Sequence, residues 1–62
     1  MIKLQLVGDT ELYINEDYIE NIEATSKSDT CVRIHNGTNY VVAETPEQII
    51  AKIVEWRQKL NR

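Results

Sequence analysis

Sixty-two residues, 42% hydrophobic and 27% charged, fit one small globular domain and exclude both a disordered segment and a membrane span. Seven basic against ten acidic residues leave a formal net charge of −3, the wrong sign for a protein that holds nucleic acid by neutralising phosphates. One short core rarely supplies more than about 3–5 kcal/mol. Cys31 is the lone cysteine, so neither an intrachain disulfide nor a thiolate zinc cluster can supplement that core, and self-association is the expected remedy.

Ile2, Leu4 and Leu6 recur at period two against Lys3 and Gln5, which predicts a first strand with one buried face. The same alternation argues against a secretion signal, which would need a basic stretch followed by an apolar block. Gly8-Asp9-Thr10 supplies turn chemistry, and Leu12 and Ile14 resume the alternation as a second strand. Asn15-Glu16-Asp17 punctuates the chain. Ile22 and Ala24 then predict a third strand, with Ile19 plugging the corner before it.

A polar loop, Ser26-Lys27-Ser28-Asp29, leads to two segments, Thr30 to His35 and Asn39 to Ala43, that flank Asn36-Gly37. Asn-Gly is the dipeptide most favoured for a two-residue type I′ turn. With such a turn Val32 opposes Val41 and Cys31 opposes Val42. One side then carries Val32, Ile34, Val41 and Ala43, and the other Cys31, Tyr40 and Val42. A sheet apolar on both sides needs two covers, and one short helix supplies one.

Thr45-Pro46-Glu47-Gln48 marks that helix. Thr45 can cap, Pro46 suits the first helical position, and Gln48 can reach back to close a capping box. Ile49, Ile53, Trp56 and Leu60 form an apolar stripe that Ile50 and Val54 widen. Glu44 and Glu47 near the start, with Arg57, Lys59 and Arg62 near the end, suit the helix dipole.

Few constellations carry chemistry. Cys31 and His35 on one strand lie about 13 Å apart, beyond the reach of a nucleophile and its base. One His and one Cys without clustered carboxylates make no metal site. Asn36-Gly37-Thr38 matches a glycosylation acceptor, but the turn explains it. Between Asp9 and Glu23 lie six acids and no Lys or Arg, which predicts a negative surface on the first half of the sheet.

Four segments together resemble one family. They are Met1-Ile2-Lys3-Leu4; Tyr13 through Thr25, in the pattern apolar-Asn-x-Asp-x-Ile-Glu-x-Ile-Glu-x-Thr; Asp29-Thr30 leading to Asn36-Gly37; and Tyr40 through Ile50 followed by Lys52 through Arg57. The chain resembles the flagellar FlbD family, also called SwrD. Two departures stand out: Ser26-Lys27-Ser28 makes a longer link than is usual, and Gly8-Asp9 replaces the family's Asn-Gly. The resemblance implies a small cytoplasmic accessory to flagellar motility, peripheral to the flagellar base, that raises motor torque or supports swarming without known chemistry or cofactor. Ile19 through Ala24, Val32 through His35 and Tyr40 through Val42 are also similar to the LytTR type of DNA-binding domain. Here only Lys27 and Arg33 lie between Lys3 and Lys52, too few cations for such a role.

The resulting expectation is a single α+β domain over residues 1–62. A small bent antiparallel sheet of four to five strands, built from hairpins over about 2–43, precedes one amphipathic helix over about 46–60. It is expected to bind rather than catalyse, without metal or cofactor, without nucleic acid and without membrane insertion. Glu11, Glu20, Glu23, Lys27 and Asp29 are the candidate surface for a motor or basal-body protein. Tyr40, Val42, Trp56 and Leu60 are the candidate contacts of a homo-oligomer.

Overall fold

The computed structural model describes residues 1–25 and 27–60. Ser26 of the polar loop and Arg62 of the helix end therefore lie outside the described residues. In chain order the elements are β1 (Ile2–Gln5), β2 (Glu11–Ile14), a 3₁₀ turn (Glu16–Tyr18), β3 (Ile19–Ala24), β4 (Thr30–Ile34), β5 (Asn39–Val42) and α1 (Pro46–Leu60). The fold is α+β, with five strands and a C-terminal helix.

The strands form two antiparallel sheets, β1-β2 and β3-β4-β5. Leu6 bridges to Val42, the Val7 N–H donates to the Val41 carbonyl at 3.1 Å, and the Ala43 N–H to the Gln5 carbonyl at 2.8 Å. These bonds splice the end of β1 onto the free edge of β5, so the two sheets curve around one core. Asn15 caps the intervening 3₁₀ turn, its side-chain oxygen accepting from the Asp17 N–H at 3.0 Å.

All three hairpins close alike. The N–H groups of Leu6, Thr25 and Ile34 donate to the carbonyls of Thr10, Asp29 and Thr38 at 2.8, 2.8 and 3.0 Å, each spanning three loop residues. The last loop residue is left-handed every time: Asp9 at φ 69°, Ser28 at φ 68° and Gly37 at φ 89°. At Asn36-Gly37 this corrects the expected two-residue turn. The Gly37 N–H donates to the Ile34 carbonyl at 2.9 Å, closing a four-residue turn whose last residue is the left-handed glycine.

One extra loop residue shifts the β4-β5 register by one. Val32 opposes Tyr40, Cys31 opposes Val41 and Thr30 opposes Val42, where the shorter turn would have set Val32 against Val41. A single-residue slip exchanges the faces of a strand. Thr30, Val32, Ile34, Tyr40 and Val42 consequently share the inner face, and the sheet is not apolar on both sides as expected. The outer face keeps Cys31 and Val41 beside Arg33 and Asn39.

Ile2, Leu4, Ile14, Val32, Val42 and Ile49 form the buried core, with Leu12, Ile19, Ile22, Ile53 and Trp56 packed against it. Each fully buried aliphatic side chain contributes roughly 1.5–3 kcal/mol. The helix starts as its sequence dictates: the Gln48 N–H donates to Thr45 Oγ1 at 3.1 Å, and the Thr45 N–H to Gln48 Oε1 at 2.9 Å. Its inner face is narrower than the periodicity suggested. Ile49 is buried and Ile53 and Trp56 half-buried, but Ile50, Val54 and Leu60 are 53%, 48% and 62% exposed. The strands are short, so the helix covers the sheet along one narrow line and leaves those three outside it.

Candidate functional site

The outward face of the three-stranded sheet is built by register. Asn21 opposes Arg33, which opposes Asn39, and Glu23 opposes Cys31, which opposes Val41, so these side chains stand in two rows away from the core. A register shift between Ile19 and Asn21 adds Glu20 to them. Bulges of this kind re-aim a side chain. Glu20 Oε1 lies 3.8 Å from Arg33 Nε and its Oε2 3.9 Å from His35 Nδ1. Glu23 is exposed and has no ion pair among the described residues.

The other acids of the Asp9–Glu23 run are dispersed. Glu11 lies on the two-stranded sheet, 3.3 Å from Lys3. Asp17 accepts from Arg57 on the helix at 2.9 Å. Glu16 is buried, its Oε1 3.1 Å from the Met1 ammonium. A hydrogen bond from its own backbone N–H, helped by the ammonium and by Arg57, holds the Glu16 carboxyl below the usual carboxylate range against the opposing effect of burial. The uniform negative surface read from the sequence is therefore partly neutralised, and Glu20 and Glu23 are the acids that share one outward face.

Lys27 and Asp29 lie in the loop between β3 and β4, their N–H groups donating to Thr25 Oγ1 at 3.2 and 3.3 Å. Asp29 also lines a groove of about 260 Å³ together with Thr45, Pro46 and Glu47 at the start of the helix. A second groove, of about 210 Å³, runs between the start of β1 and the helix and is lined by Trp56, Lys3, Lys52, Glu55 and Lys59.

The four residues expected at an oligomer contact separate. Val42 is 0% exposed and Tyr40 is packed against the core, both on the inner face because of the register. Trp56 is half-buried against the core and Leu60 is exposed. Sequence reasoning missed the role of Glu44. Both its carboxylate oxygens accept from the Gln5 N–H at 3.0 Å, and Oε2 lies 3.4 Å from Lys52 Nζ. Its place before a helix start hid a partner 39 positions away. No helix among the described residues is long and apolar enough to cross a membrane.

The family model described as FlbD, flagellar and swarming motility proteins, matches residues 1–61. Comparison with curated proteins and with solved structures gives no match.

Proposed function

This chain belongs to the FlbD family of flagellar and swarming motility proteins, and from that premise we propose that it works without catalysis, as a cytoplasmic binding protein at the flagellar base. Its partner in this reading is a motor or basal-body protein presenting a basic surface, and the binding supports torque or swarming.

The observation that supports this reading is the bulge in β3. It turns Glu20 outward onto the same face as Glu23, on a strand whose inner residues Ile19 and Ile22 are anchored in the core. Exposed acids on a rigid strand steer and orient a basic partner more than they tighten its grip. Glu11 on the neighbouring hairpin and Lys27 and Asp29 in the loop are secondary contacts.

The test is a chain carrying Glu20→Lys and Glu23→Lys, with retained fold checked by circular dichroism. Swarming and co-purification of flagellar components are expected to fall together. Unchanged motility and unchanged co-purification would overturn the proposal.

A further inference from the structure

The helix carries an apolar stripe that the fold leaves uncovered. Glu47, Ile50, Val54 and Arg57 follow one another at intervals of three, four and three residues, the spacing of a seam between paired helices. All four are exposed, whereas Ile49, Ile53 and Trp56, which pack on the sheet, lie on another side of the helix.

The order of charges along this seam selects its occupant. An acid stands at the N-terminal end, a cation at the C-terminal end, and the two aliphatic residues between them. We propose that the seam pairs with the same seam of a second copy, the two helices antiparallel about an axis beside Lys52. Ile50 then meets the other copy's Val54, and Glu47 meets its Arg57, each contact occurring twice, as a two-fold contact requires. A parallel pair would set Glu47 against Glu47 and Arg57 against Arg57, which like charge disfavours. Ala51 beside the seam is small enough for the backbones to approach. Arg57 already donates to Asp17 from NH2 at 2.9 Å, and a guanidinium has further donors for a second carboxylate.

This pairing is independent of the motility reading and of the sheet faces. Its short apolar stretch predicts a weak, reversible dimer, with a dissociation constant of about 10–500 μM.

Sedimentation equilibrium on the full chain from about 10 μM to about 1 mM tests it. A monomer–dimer equilibrium is expected, weakened about tenfold or more by Ile50→Asp or Val54→Asp. Glu47→Arg and Arg57→Glu should each weaken self-association, while an equimolar mixture of those two chains restores dimers, since every end contact then pairs opposite charges. Circular dichroism of each variant monitors the fold. A chain that stays monomeric throughout the range, a dimer indifferent to the Asp variants, or a mixture no better associated than its components would overturn the proposal.

Discussion

Glu44, just ahead of the helix, and Lys52, two turns further along the chain, lie 3.4 Å apart, and together they bind one edge of the β1 backbone, the edge turned away from β2. Glu44 takes the Gln5 N–H while Lys52 Nζ donates to the Lys3 carbonyl at 2.7 Å. The pair fastens β1 to the helix at the point where β1 leaves β2 and joins β5. Its carboxylate is mostly shielded, unlike that of the exposed Glu55–Lys59 pair at 3.9 Å.

Glu44→Ala should therefore destabilise the fold by about 1–3 kcal/mol, because it strands the part-buried Gln5 N–H. Glu55→Ala should cost less than about 0.5 kcal/mol, as exposed pairs do. Urea unfolding midpoints of the two variants make the comparison, and equal losses would contradict the fastening role.

The left-handed loop positions predict changes of opposite sign. Ser28→Gly and Asp9→Gly should each stabilise by up to about 1 kcal/mol by removing a Cβ from a disfavoured conformation. Gly37→Ala should destabilise by about 1 kcal/mol. An added Cβ there meets nothing within 4 Å, so the loss is backbone strain alone. Thermal melts of the three variants give the signs directly.

Glu16 predicts a pH dependence. Folding lowers its pKa, so the unfolded chain binds the proton more readily and the stabilisation is fully present above the ordinary carboxylate range. It is lost as pH falls through the lowered folded value. The stability gap between the native chain and Glu16→Gln should hold steady above about pH 6 and shrink towards about pH 3. A gap independent of pH would assign Glu16 a purely steric role.

Thr45 completes a reciprocal cap with Gln48. Thr45→Ala should cost about 1 kcal/mol and Thr45→Asp little, since Asp also caps. Hydrogen exchange of the Gln48 amide should accelerate in the Ala variant and stay slow in the Asp variant.

The sequence alone determined the features whose causes lie within a few residues. Thr45-Pro46-Glu47-Gln48 starts the helix because capping is local, and alternation at Ile2, Leu4, Leu12 and Ile14 marks the first hairpin because a strand repeats every two residues. The family pattern was legible for the same reason, being a linear string of residue types.

Tertiary structure decided the rest. Asn36-Gly37 favours a two-residue turn when read locally, but the longer loop gathers Val32, Tyr40 and Val42 on one face, and burying them together outweighs a turn preference. The fate of the acids was equally non-local. Glu16, Asp17 and Glu44 find their partners at Met1, Arg57 and Gln5. Only the closing of two sheets and a helix around one core brings those residues within reach, which is why a charge run along the chain became a face with two outward acids.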